Sequence, residues 1–90
     1  VKLIEKVQVK NRLGLHTRPA TVIVQLLQNC RSEVSFTCRR ETINARSLLS
    51  ILMLAARQNS KITITVEGQD SEARKTMEAL VEAFENRFGE

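Results

Sequence analysis

His16 is the only histidine of the chain and Pro19 its only proline, and both stand in the run Leu13-Gly14-Leu15-His16-Thr17-Arg18-Pro19-Ala20. Pro19 has a fixed φ and no backbone N–H, so it suits the first turn of a helix and not its interior. Ala20, Ile23, Val24 and Leu27 follow at i, i+3, i+4 and i+7, the repeat of a helix with one buried stripe. The spacing predicts a helix that begins at Thr17 or Arg18, with His16 at its N-cap. Gly14 supplies the backbone freedom that a sharp strand-to-helix turn requires.

The chemistry follows from that placement. The free N–H groups of the first turn, that of Thr17 among them, converge with the positive end of the helix dipole where His16 sits. Such a place attracts an anion and disfavours an imidazolium, which predicts a neutral ring with one nitrogen free to attack. Arg18 adds a permanent cation that can grip phosphate oxygens in a planar fork. A nucleophile, an anion cradle and a guanidinium this close together suit a phosphoryl group carried on histidine. A lone histidine has no partners at ligand spacing, so no metal is expected, and nothing calls for a cofactor. The bland alternative is a surface or helix-capping histidine, and the adjacent Arg18 and Pro19 argue against it.

A His-x-Arg-Pro run that follows Gly-x and opens an amphipathic helix resembles the active-site loop of the HPr family, the histidine phosphocarriers of the bacterial phosphotransferase system. The likeness runs the length of the chain. The resemblance implies that His16 takes a phosphoryl group from enzyme I onto Nδ1 and passes it to an enzyme IIA. It implies a stoichiometric carrier rather than an enzyme, and we expect a monomer.

The elements that must position these residues are legible from composition and period. Ninety residues make one domain, 1–90, with a modest core. Hydrophobic content of 42% with three Phe and no Tyr or Trp points to aliphatic packing. A net charge of +4 would fit nucleic acid, a membrane surface or an acidic protein. No Lys/Arg run stands out and Phe36 is the only aromatic in an expected strand, which argues against an RNA-binding sheet with stacking aromatics. No signal peptide or bilayer-spanning stretch is recognised, so no membrane partner is expected. Cys30 and Cys38 are too few for a disulfide framework and are expected as reduced, partly buried thiols of a cytoplasmic protein.

In chain order, residues 2–10 read as a strand with Leu3, Val7 and Val9 on one face, and 17–29 as the helix after His16. Val34, Phe36 and Cys38 alternate with polar residues in a half-buried strand. A tight turn at 39–41 and a short strand over 41–45 complete a hairpin, although no Gly or Asn marks its tip. Residues 47–56 read as a short helix and 61–67 as a cleanly alternating strand. A long final helix carries Ala73, Met77, Leu80, Val81, Phe84 and Phe88 as one apolar stripe. The order β-α-β-β-α-β-α predicts an α+β fold, one sheet with all three helices on one face. Ferredoxin-like domains share βαββαβ. The family resemblance selects the open-faced β-sandwich with a four-stranded antiparallel sheet.

A second site is suggested by residues 47–56, which are apolar around almost the whole helix. If Ile51, Leu54 and Ala55 face the sheet, Leu48, Leu49 and Leu52 are left wholly or partly in water, as at a docking surface. In HPr the matching helix contacts enzyme I and the IIA domains. Ser47 matches the position that HPr kinase/phosphorylase modifies in many Gram-positive and some other bacteria, with Arg46 beside it to pair with a phosphate. Ser47 is also a plain N-cap on any helix. Gln25 and Gln28 stand where some sugar-system members carry lysines, and the closing Phe84–Glu90 looks more like the nitrogen-type branch. That raises an alternative: a phosphorylation-dependent regulatory binding protein rather than a sugar-uptake carrier. A third reading, an effector-sensing ferredoxin-like domain, has no use for His16, Arg18 and Pro19 together.

Overall fold

The periodicities resolve into eight segments in a computed structural model that describes all 90 residues. They are β1 (Lys2–Gln8), α1 (Thr17–Leu26), β2 (Glu33–Cys38), β3 (Glu41–Asn44), α2 (Leu48–Leu54), β4 (Lys61–Glu67), α3 (Asp70–Glu85) and a closing 3-10 turn (Arg87–Gly89). The four strands form one antiparallel sheet in the order β1-β4-β2-β3. In the two central strands, Val34, Phe36 and Cys38 and Ile62, Ile64 and Val66 are buried under the helices, joined in the core by Ile23, Ile51 and Leu80. Ser35, Thr37, Thr63 and Thr65 alternate with them on the uncovered face. This is the open-faced α+β sandwich that the element order and the resemblance predict.

Three boundaries differ from the sequence expectation by two or three residues. β1 stops at Gln8: Val9 is fully buried, donates its N–H to Ser60 O at 2.9 Å and accepts from Asn59 N at 2.7 Å. α1 ends at Leu26 rather than 29, with Leu27 as its C-cap. α2 ends at Leu54, where Ala55 turns left-handed (φ 53°) and faces solvent instead of the sheet, and Ala56 takes the buried place.

The hairpin turn is a two-residue one. Cys38 pairs with Glu41, so Arg39 and Arg40 form its tip with φ of 52° and 69°. Both are left-handed, as a turn of that length demands, although neither is Gly or Asn. Arg39 has a compensating contact: its Nη2 donates to Leu54 O at 2.7 Å, placing a cation at the C-terminal end of α2.

α3 starts on Gln69, whose side chain accepts from Glu72 N at 3.0 Å, with Asp70 and Glu72 in the first turn. The apolar stripe is as expected through Phe84, but Phe88 lies beyond the helix. The chain folds back through Arg87 (φ 59°) and Phe88 (φ 54°), and the Phe88 ring meets the edge of Phe84 with centroids 4.8 Å apart.

Candidate functional site

The strand-to-helix loop is built by contacts made before and after it. Gly14 donates to Asn11 O at 3.0 Å with φ 70°, and Leu15, almost fully buried, donates to Ala56 O at 2.9 Å. A Cβ on Gly14 would lie 2.2 Å from that same Ala56 oxygen. Gln58 Nε2 donates to Lys10 O at 3.3 Å. The segment after α2 is therefore the mould in which the loop before His16 is cast.

His16 is the N-cap of α1 in extended backbone conformation, and its side chain does not cap the helix. Pro19 has no N–H, so the open end of α1 presents those of Thr17 and Arg18. The His16 side chain is 29% exposed and that of Arg18 is 75% exposed.

Glu90 completes the site, and sequence reasoning missed it. His16 Nε2 lies 3.0 Å from Glu90 Oε1, and Arg18 Nη1 lies 3.7 Å from Oε2. Asn11, only 2% exposed, holds the carboxylate from the other side, its Nδ2 donating to Glu90 Oε1 at 2.6 Å and to Arg87 O at 2.8 Å. Partial desolvation pushes the Glu90 carboxyl up. Hydrogen bonds from Asn11 and His16, with the charges of His16 and Arg18, outweigh it and bring the group below its ordinary 4.5. An ionised carboxylate only accepts, so Nε2 carries a proton in this contact, and in the neutral form of the ring Nδ1 is the nitrogen with the free lone pair. Lys10, Arg12 and Arg87 line a shallow cavity of about 290 Å³ beside the pair. The sequence reading placed only positive groups around the ring; Glu90, 74 residues away, supplies the counter-charge.

At the second site, Ser47 caps α2 with its Oγ accepting from Ser50 N at 3.2 Å. Arg46 does not turn toward it. Its Nη1 donates to Cys30 O at 2.6 Å and Ser32 O at 3.2 Å, so the guanidinium is bound to the turn after α1. Leu48 (39%) and Leu49 (67%) are exposed as expected, whereas Leu52 is half-buried. Met53 (70%) and Leu13 (73%) are exposed as well, and neither was singled out. α2 packs against α1, and through Ala56 its far end meets the loop of His16. Seven residues of helix separate Ser47 from that end, roughly 10 Å of axis.

No three His, Cys, Asp or Glu side chains cluster as metal ligands, and Cys30 and Cys38 are unpaired. No helix is long and apolar enough to cross a membrane.

Solved structures first define the class, that of histidine-phosphocarrier open-faced sandwiches. The HPr-C-His structure from Thermoanaerobacter tengcongensis is similar with a TM-score of 0.90 at 32% identity, over 98% of this chain and 97% of that one. The HPr from Bacillus anthracis gives 0.85 at 34% identity, over 93% and 98%. Among curated relatives, the phosphocarrier protein HPr of Chlamydia pneumoniae is 44% identical over 82 residues, covering 91% of this chain and 74% of that protein. That of Xylella fastidiosa strain Temecula1 is 35% identical over 88 residues, covering 98% and 97%. The family model described as "PTS HPr component phosphorylation site" matches residues 4–86. The chain belongs to the HPr family, the phosphocarriers of the phosphotransferase system.

Proposed function

We propose that residues 1–90 act as one phosphocarrier domain whose His16 receives a phosphoryl group from phospho-enzyme I and passes it to an enzyme IIA. The observation that carries the assignment to Nδ1 is the 3.0 Å contact of Nε2 with Glu90. Nδ1 attacks phosphorus as the bond to the donor breaks, and the donor keeps that electron pair. The proton on Nε2 stays, so the phosphorylated ring carries positive charge, and the Glu90 carboxylate balances it. The Thr17 and Arg18 N–H groups and the Arg18 guanidinium take the phosphoryl oxygens. Arg18 is loosely held and largely exposed, free to turn from Glu90 to the incoming group. The protein ends the step modified, which makes it a substrate of both partners rather than an enzyme.

The test is incubation with phosphoenolpyruvate and enzyme I, followed by mass spectrometry and phosphorus NMR. One acid-labile phosphate on Nδ1 of His16 is expected. His16→Ala should abolish uptake while changing stability by no more than about 1–2 kcal/mol, the scale of a lost N-cap. Uptake by that variant, or phosphate on Nε2, would overturn the assignment.

The exposed side chains of Leu48, Leu49 and Met53 on α2, with half-buried Leu52 and neighbouring Leu13, support docking of enzyme I and the IIA domain on this side. Modification of Ser47 by an HPr kinase/phosphorylase is supported by its partial exposure at the edge of that patch. The phosphate would add about −1.5 to −2 charges there and repel an acidic partner surface. Because Arg46 is engaged elsewhere, it would not be the first group to receive that phosphate. The regulatory, nitrogen-branch reading rests on the closing segment Phe84–Glu90, and assaying phosphotransfer to sugar-type and nitrogen-type IIA proteins separates it from sugar uptake.

A further inference from the structure

β1 is an edge strand, paired only with β4, so one row of its backbone N–H and C=O groups has no sheet partner. Beside that row runs a groove against α3, formed by two adjoining cavities of about 550 and 200 Å³ that share Val81 and Glu85. Leu3, Met77 and Val81 make an apolar floor in the larger part. Glu5, Glu78, Glu82 and Glu85 stand exposed along it. The one cation of the larger part, Arg74, is already paired with Asp70 at 3.0 Å, and Lys6 and Lys10 line the smaller part. On a chain of net charge +4, the larger part of this groove is a local concentration of negative charge. The smaller part reaches Lys10, which also lines the cavity beside His16.

We propose that this groove docks an extended basic segment of a partner protein, which adds to β1 as a fifth strand. An arginine or lysine side chain matches both halves of the surface. Its aliphatic stem covers Leu3, Met77 and Val81, and its charged head reaches Glu78, Glu82 or Glu85. Main-chain hydrogen bonds to the edge supply affinity, and alternate side chains supply selectivity. A second copy of the chain fits poorly. Antiparallel pairing of β1 with itself about Ile4 puts Lys2 against Lys6, and pairing about Glu5 puts the two glutamates opposite each other. Those charges disfavour self-association and leave the edge open to a strand that sets its basic side chains on the α3 side, against Glu5 and the α3 glutamates, and apolar ones beside Lys2 and Lys6.

The probe is an end-capped peptide of alternating arginine and valine, titrated into the intact protein and followed by amide NMR and hydrogen exchange. Saturable shifts at Ile4, Lys6 and Glu78 to Val81 are expected, with slowed exchange of β1 amides. The exposed double reversal Glu78→Lys with Glu82→Lys should weaken binding by roughly tenfold or more, with the remaining spectrum unchanged, and a glutamate–valine peptide should not bind. Absence of saturable shifts up to about 1 mM peptide would overturn the proposal. So would binding that ignores the reversal, or binding that leaves β1 exchange unaltered and is therefore charge adsorption alone. Concentration-dependent shifts of β1 without peptide would assign the edge to a second copy instead.

Discussion

Replacing Gly14 by alanine tests whether the loop of His16 is cast against the segment after α2. Two glycines of this chain sit at positive φ, Gly14 at 70° and Gly89 at 82°, and they differ in surroundings. An alanine at 89 meets nothing within 4 Å, so its cost is the left-handed backbone alone, about 1–2 kcal/mol. At 14 the same backbone cost applies, and the new methyl would stand 2.2 Å from Ala56 O and 3.0 Å from the Arg57 Cα. Both neighbours are main chain and yield only if the loops part. Separation forfeits the Leu15 to Ala56 hydrogen bond, about 1 kcal/mol, and adds packing strain of about 1–3 kcal/mol. Gly14→Ala should therefore lose about 2–4 kcal/mol more than Gly89→Ala. Against a total stability of about 5–15 kcal/mol this is a large share, and for a domain of this size it lowers Tm by on the order of 8–30 °C more. Denaturant unfolding of the three proteins gives the difference directly. Phosphoryl uptake by folded Gly14→Ala, measured at low temperature, should also fall below that of Gly89→Ala, because His16 loses its placement. Equal losses in the two variants would refute the reasoning.

Arg40→Asn should raise stability by about 0.5 kcal/mol, since asparagine tolerates the left-handed turn and Arg40 makes no hydrogen bond, whereas Arg39→Asn should gain nothing because it loses the bond to Leu54; denaturant midpoints decide. The Glu90 carboxyl is lowered on folding, so its stabilising contact is fully present above the unfolded value near 4.5 and is lost as pH falls through the lower folded value. Titration followed at the His16 ring nitrogens should show Nε2 losing its carboxylate partner in that acid range, and Glu90→Gln should remove the transition. Leu49→Asp, at a position 67% exposed, should leave folding within about 0.5 kcal/mol yet weaken enzyme I binding by roughly 2–4 kcal/mol in calorimetry. Unaltered affinity would remove α2 from the docking surface.

Strong local signals carried most of the architecture. The alternation of Ile62, Ile64 and Val66 and the 3.6-residue stripe of α3 sit where period alone puts them. The place of His16 at the head of α1 was legible because Pro19 and the apolar repeat act within one turn. What escaped was decided by distant partners. Asn59 and Ser60 capture Val9 and shorten β1, and nothing near Val9 announces it. The hairpin tip contradicts turn preferences because Arg39 is fastened to the end of α2. Glu90 had no local signal at all. The nearest hint was Phe88, an apolar residue in the stripe that had to be buried and so drew the following residues back toward α1.

The strand order carries a kinetic consequence. β4 is the fourth strand in sequence but the inner partner of both β1 and β2, and only the β2–β3 hairpin joins neighbours along the chain. Its register with β1 closes a loop that brings Val1 to Gly68, 67 residues on. Loop closure of that reach must be made before the sheet rewards it, which sets folding on the slower side for a chain of this length. The loop before His16 takes its partners from residues 56–60, on the threshold of that same strand. A chain elongating from its amino end therefore exposes His16 well before the residues that shape its loop, and on the proposed function phosphoryl acceptance is expected of the finished sheet, not of the motif alone.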